Sequence, residues 1–271
     1  MTGTLFVVGT PIGNLGDLSE RARATLARVD LILAEDTRRT GRLLQTFDVH
    51  AKLISFFEGN EERRVGEIVA ALREGHDVAL VSDAGMPGVS DPGFRLVRAC
   101  AEEGIAVHVV PGPSAVLAAL VVSGLPTDRF VFEGFLPRRA GERRDRLDAL
   151  ASDPRTIVLF ESPARLVAHL KELRELLGDR RIAVARELTK LHEETIRGTI
   201  SDVLGRLGDG PVRGEVVVVV EGAAPTAGSV EDAVDDARSL VERGMRKREA
   251  AAEVARRHGV SANEVYRALV G

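Results

Sequence analysis

Apolar positions in this chain fall into two alternating rhythms. Short runs of Val, Leu, Ile and Phe recur at Leu5–Val8, Leu31–Ala34, Leu53–Phe56, Val78–Val81 and Val107–Val110. Such runs, bounded by Gly, Pro and acids, read as strands of a parallel sheet buried on both faces. Between them the apolar residues return at helical spacing, as Val65, Ile68, Val69 and Leu72 do. Gly124-Leu125-Pro126-Thr127-Asp128 ends a helical stretch with several turn-formers and marks a boundary, so an N-terminal α/β domain is expected over residues 1–125. A second α/β domain is expected over 126–225, with strands near Val131–Glu133, Thr156–Phe160, Ile182–Ala185 and Val216–Val220. Its clearest helix is expected to start at Ser162-Pro163, cap then first turn, and to place Leu166, Leu170, Leu173 and Leu177 on one face. Ala223–Ser229 (AAPTAGS) reads as a linker.

Residues 230–271 form a separate helical tail. A first helix aligns Ala233, Ala237, Leu240 and Val241 and stops at Gly244; a second runs from Lys247 to Arg257. After the turn His258-Gly259-Val260, a third opens with a capping box, Ser261 and Glu264, and a staple of Val260 on Val265. Three short helices with this turn resemble a helix-turn-helix module. A packing appendage would show the same pattern.

The loops that follow two of the strands carry the most information. Val78–Gly93 (VALVSDAGMPGVSDPG) and Val107–Leu120 (VHVVPGPSAVLAAL) each pass from a buried strand through Gly and Pro into a helix. Open α/β sheets bind ligands at such strand C-termini. Gly85, Gly88 and Gly112 allow close backbone approach, while Pro87, Pro92 and Pro111 stiffen it. Asp91-Pro92 and Pro113-Ser114 look like helix starts. The first loop, GTPIGNLGDL, does not fit G-x-G-x-x-G, Pro11 lacks an amide, and no G-x-x-x-x-G-K-[ST] occurs. A ligand here is therefore expected to be held by its neutral and cationic parts, as S-adenosylmethionine would be.

Composition narrows the picture. The 271 residues are 44% hydrophobic with one cysteine and six scattered histidines, so neither a disulfide framework nor a metal site is expected. No apolar run is long enough to span a bilayer and no signal-peptide pattern precedes the first strand; a cytoplasmic protein without membrane contact is expected. The net charge of −4 argues against general nucleic-acid affinity, so a basic surface has to be local. Leu136–Leu147 (LPRRAGERRDRL), read as a loop beside the cleft, supplies it: Arg138, Arg139, Arg143 and Arg144 are the candidate phosphate contacts. A general preference for arginine, with only four lysines among 37 basic residues, would also produce such a run.

LFVVGTPIGNLGDLS, ILAEDTRRTGRLL, VSDAGMPGVSDPG, VPGPSA, FEGFLPR, FESPARL, ARELTKLHEE and RGEVVVVVEG follow one another from Leu5 to Gly222. Together they resemble the tetrapyrrole methylase family, over roughly four-fifths of the chain. The wider family has G-D-P after the fourth strand where this chain has Gly85-Met86-Pro87, which is similar to the family's ribosomal branch. The resemblance implies an S-adenosylmethionine-dependent enzyme of two α/β domains with the cofactor in the cleft between them, working as a homodimer. For that branch it implies 2′-O-methylation of a cytidine ribose in the decoding region of 16S rRNA, with the small ribosomal subunit as partner. Carried over block by block, it implies a cofactor pocket of Ile12, Met86, Val89, Ser114, Ala115, Phe160 and Gly214, with Asp83 either there or capping its own loop.

Methyl transfer from a sulfonium to a ribose hydroxyl needs alignment above all, helped by a base and a cation near the hydroxyl. Glu187 with Lys190 could fill those roles, and Asp36 is the other candidate base. A methylase acting on a tetrapyrrole or a protein side chain, and a non-enzymatic DNA-binding regulator using the tail, are the alternatives.

Overall fold

The computed structural model describes residues 2–208, 210–224 and 230–270. Two five-stranded sheets are each covered by helices. The first contains β1 (Leu5–Val8), β2 (Leu31–Ala34), β3 (Lys52–Ser55), β4 (Val78–Val81) and β5 (Val107–Val110), in the order β3-β2-β4-β1-β5. Every pairing in it is parallel. Helices α1 (Glu20–Arg28), α2 (Thr37–Thr46), α3 (Glu58–Arg73) and α4 (Phe94–Glu102) connect these strands. Two buried clusters line the sheet, one centred on Val8, Ile32 and Leu26, the other on Leu33, Leu72 and Leu80. Cys100, on the inner face of α4, is fully buried and unpaired, and burial pushes its thiol up to about 11.

Helix α5 (Ala115–Ser123) joins the two layers. Its Ser114 hydroxyl caps the Leu117 amide, and it ends at Gly124 in the left-handed conformation (φ 75°). The helix is apolar all round because it packs on the second sheet as well as following the first. Val116, Ala119 and Leu120 share a core with Ile12, Val158, Ala183 and Val217.

The second sheet contains β6 (Phe130–Phe135), β7 (Thr156–Glu161), β8 (Arg181–Arg186), β9 (Glu194–Thr199) and β10 (Val216–Val220), in the order β6-β7-β10-β8-β9. Only β6 and β7 run parallel; β10 lies antiparallel between β7 and β8. Helices α6 (Ala140–Leu150), α7 (Leu166–Leu177) and α8 (Ile200–Leu207) cover its outer face. The leucine stripe of α7 is buried as its spacing requires, but the helix begins at Leu166, a turn later than Ser162-Pro163. The arginine-rich segment, read above as a loop, is helix α6.

The tail folds into α9 (Val230–Glu242), α10 (Lys247–His258) and α11 (Ala262–Val270) around Ala233, Ala237, Val254 and Val265, with Val260 packed against them. Residues 225–229, most of the expected linker, lie outside the described residues. No helix among the described residues is long and apolar enough to cross a membrane.

Candidate active site

The loops leaving β1, β2, β4 and β5 converge with those leaving β7 and preceding β10 on one cavity of about 770 Å³. Ile12, Asp83, Met86, Val89, Ser114, Ala115, Phe160 and Gly214 all line it. These residues span 203 positions of sequence, from 12 to 214. The cavity lies where β1 separates β4 from β5, the reversal of strand order at which open sheets leave a crevice.

Glycine sets the spacing of its walls. Gly9, ending β1, and Gly112, after β5, touch through their backbones: a Cβ on Gly112 would lie 2.8 Å from Gly9 C and Cα. Between these strands and the β4 loop, Thr10 and Gly85 exchange backbone hydrogen bonds at 2.9 and 3.1 Å. Across the cavity, Gly214 (φ 88°) leaves room for Glu187, whose Oε1 would be 2.4 Å from a Cβ there.

One wall is acidic. Glu35, Asp83 and Asp91 line the cavity with the Arg39 guanidinium. Asp83 accepts from the Asp36 amide at 3.0 Å and pairs with Arg39 at 3.2 Å, tying the β2 and β4 loops together. Burial, then repulsion from Asp83, raises Glu35. Burial, then the charge of Glu35, pushes Asp91 up to about 6, with a hydrogen bond from Ser82 acting against it. Asp91 does not start α4, whose first turn is instead entered through Gly93 at φ 139°. The sequence placed Asp91 at a helix start; no local signal shows that residues 35 and 91 face each other.

The other walls are apolar, with Ile12, Leu117, Phe135, Phe160 and Leu188. Phe160 meets Phe132 edge-on at 4.9 Å between centroids. Behind it Glu161, 5% exposed, accepts from the Ser162 amide at 2.6 Å and is bonded to the buried imidazole of His169.

Glu187 and Lys190 come together beside the cavity. Lys190 Nζ donates to Glu187 Oε1 at 2.9 Å and to Glu215 Oε2 at 3.0 Å, and Glu187 Oε1 also accepts from the Glu215 amide at 2.9 Å. Partial burial disfavours the lysine charge, but the hydrogen bonds it donates to Glu187 and Glu215 outweigh it and raise its pKa. The Lys190 hydrogen bond in turn lowers Glu187. Glu187 and Thr189 occupy left-handed backbone (φ 49° and 67°), a strained turn packed on Gly13. Lys190 and Glu215 also line a shallower groove of about 360 Å³ with Arg39, Arg42 and Leu43; it shares Ile12, Asp83 and Ala84 with the cavity.

Asp36 lies apart from this pair. It caps α2, accepting from the Arg38 amide at 2.8 Å, and the Arg38 side-chain hydrogen bond holds it down at about 2. That is the setting of a structural cap. The arginines of α6 also separate. Arg143, its side chain 13% exposed, donates to Glu172 at 2.6 Å and to the Pro137 and Arg138 carbonyls, so it is not free to meet a phosphate. Arg139 and Arg144 make exposed pairs with Glu142 and Glu175, and Arg138 makes none among the described residues. No group of acidic, His or Cys side chains among the described residues could hold a metal.

Two α/β layers meeting over a glycine-spaced cavity, without a phosphate-gripping loop, define a two-domain α/β enzyme scaffold. The model of the Tetrapyrrole (Corrin/Porphyrin) Methylases matches residues 4–204, and the chain belongs to that family of methyltransferases. Its relatives include proteins named ribosomal RNA small subunit methyltransferase I. That of Synechocystis sp. is 46% identical over 97% of this chain and 96% of its own. That of Thermotoga maritima is 51% identical over 81% of this chain and 99% of its own, and that of Escherichia coli O157:H7 43% identical over 98% and 94%. Among solved structures, the methyltransferase CobJ superposes with a TM-score of 0.61 over 82% of this chain and 95% of that one, at 22% identity. Uroporphyrin-III C-methyltransferase from Thermus thermophilus, complexed with S-adenyl homocysteine, gives 0.56 over 81% and 97%, also at 22%. At that identity these two carry the fold alone.

Proposed function

We propose that the protein transfers the methyl group of S-adenosylmethionine to the 2′-hydroxyl of a cytidine in the decoding region of 16S rRNA, as a cytoplasmic homodimer acting on the small ribosomal subunit. The observation that carries the reading is the 46% identity, over nearly the whole of both chains, to a relative named for small-subunit rRNA methylation.

The cavity suits the cofactor. Its volume of about 770 Å³ falls within the roughly 300–1,000 Å³ of small-molecule sites. A cradle closed to any Cβ at Gly9 and Gly112, apolar walls for an adenosine, and carboxylates for an ammonium and a sulfonium form a matching donor set. When bound, S-adenosylmethionine supplies a methyl group already activated on a sulfonium. What remains for the protein is to align the acceptor and manage one proton.

Lys190 is the candidate to meet the ribose hydroxyl. Held cationic by two carboxylates, it stabilises the oxygen as negative charge develops there. Glu187 orients Lys190 and, ionised, is the acceptor available for the proton; Asp36 holds the start of α2. Of the α6 arginines, Arg138, Arg139 and Arg144 remain available to RNA phosphates, since exposed ion pairs of this kind exchange at little cost.

The test is methylation of small subunits purified from a strain lacking this gene, with isotopically labelled S-adenosylmethionine and mass-spectrometric mapping of the product. Label at a ribose 2′-oxygen of a cytidine in 16S rRNA is the expected result. Label on a base, or only on a tetrapyrrole offered in parallel, would overturn the reading.

A further inference from the structure

The tail carries the chain's densest group of uncompensated cations. Arg243, Arg246, Lys247 and Arg248 fall within six residues at the turn between α9 and α10, and all four are exposed. Among the described residues the side chains of Arg243, Arg246 and Arg248 make no ion pair or hydrogen bond. Lys247 Nζ reaches only the Leu269 carbonyl, at 3.4 Å. Met245 between them is 37% exposed, so the turn projects from the bundle rather than packing on it. Glu242 and Glu249 flank the group, which keeps a net charge of +2 over 242–249 (four cations less two acids).

Most other cations of the tail are treated differently. Arg238 pairs with Asp235, Arg256 and Arg257 with Glu253, and His258 contacts Asp236, while Arg267 on α11 makes no such pair among the described residues. The arginine-rich segment Arg138–Arg146 likewise sets Glu142, Glu172, Glu175 and Glu133 against four of its five arginines, Arg139, Arg143, Arg144 and Arg146. Leaving charges unpaired side by side costs self-repulsion, which a polyanion relieves by displacing the counterions gathered there.

We propose that the Arg243–Arg248 turn is a contact for the sugar-phosphate backbone of RNA, adding affinity for the substrate without taking part in methyl transfer. The inference rests on the rRNA reading above. Separation from the chemistry agrees with a relative of the same name that aligns over 99% of itself but only 81% of this chain. A backbone contact also fits a tail that has one exposed tyrosine, Tyr266, and no phenylalanine or tryptophan on which bases could stack.

The experiment compares full-length parent protein with a variant carrying Arg243→Ala, Arg246→Ala, Lys247→Ala and Arg248→Ala, and with one carrying Arg243→Lys, Arg246→Lys and Arg248→Lys. Binding to fluorescein-labelled poly(U) is measured from about 50 to 300 mM NaCl, alongside steady-state methylation of small subunits. Each lost phosphate contact lowers the salt slope by about 0.7, so four alanines lower it by two to three units and weaken binding at least ten-fold near 0.1 M salt. KM for the subunit rises while kcat stays within two-fold, and the lysine variant stays close to the parent. An unchanged slope, a lower kcat at constant KM, or loss of duplex-DNA binding with poly(U) binding intact would each overturn the proposal. Thermal melting checks that the alanine variant is folded; a charge-reversed pair, Arg243→Glu with Arg248→Glu, must weaken binding further. If the parent binds poly(U) through this turn yet methylates no rRNA, the proposed function falls and the contact stands.

Discussion

Replacing Asp91 by Asn should stabilise the protein at neutral pH and leave it unchanged in acid. The Asp91 carboxyl is raised from 3.8 to about 6 by burial first and by Glu35 second. A carboxyl with a raised folded pKa contributes its stability in the protonated state: the contribution is complete below the unfolded value near 4 and is lost as pH climbs through the folded value near 6. Two units correspond to a ceiling of about 3 kcal/mol, at roughly 1.4 kcal/mol per unit. Because the carboxyl is only half-buried, solvent screening reduces this to about 1–1.5 kcal/mol. Asn keeps the shape and an acceptor for Ser82 but never ionises. Thermal unfolding of parent and Asp91→Asn should therefore coincide at pH 3, below the unfolded value, and differ by about 2–5 °C in favour of the variant at pH 7.5. A difference independent of pH, or one of opposite sign at pH 7.5, refutes the assigned cause. The stabilised variant should bind S-adenosylmethionine less well while S-adenosylhomocysteine, which lacks the sulfonium charge, loses less. A destabilising acid kept for its charge is the usual exchange of stability for function.

Gly112→Ala should cost about 1–3 kcal/mol and weaken cofactor binding in calorimetry, because the new methyl meets Gly9 backbone at 2.8 Å. Gly66→Ala, inside α3 with nothing within 4 Å, should instead gain about 0.5–1 kcal/mol in urea unfolding. Lys190→Met should lower the single-turnover methylation rate by about 10²–10⁴ with its melting profile retained; Asp36→Ala should lower the melting temperature through loss of the α2 cap and leave the rate within a few-fold. His169→Phe leaves the buried Glu161 carboxylate facing an apolar ring and should destabilise by about 3–5 kcal/mol, read by urea titration.

Much of the architecture was legible because parallel strands buried on both faces must be apolar throughout, and LFVV, LILA, VALV and VVVVV could be little else. Strand β9 was not, since ETIRGT is a half-exposed edge with only Ile196 buried. Helix α6 hid for a related reason: of its eleven residues only Leu147 and Leu150 are buried, and the rest read as a charge run. The Gly/Pro strand ends announce ligand loops, but the eight positions that line the cavity could be named only through the family resemblance of their blocks. The acids opposite them could not, because the desolvation that perturbs Glu35 and Asp91 exists only once the β2 and β4 loops lie together. Arg143 shows the reverse error, since a basic residue in a basic run looks like a phosphate contact until Glu172 is found beside it.

The antiparallel insertion of β10 between β7 and β8 has a consequence for biosynthesis. The first sheet has all its strands once Val110 is made, whereas the second lacks its central member until Val220, another 110 residues later. At roughly 5–20 residues per second, a nascent chain spends about 2–7 s between completing β8 at Arg186 and completing β10 at Val220, with β7 and β8 separated and their inner edges unpaired. Open edges of this kind recruit strands from elsewhere, and the strand they await, VVVVV, is the one a neighbouring nascent chain could supply. Crowded polysomes are therefore where this protein is most exposed to strand exchange between copies, and slower elongation through codons 160–220 should lengthen that exposure.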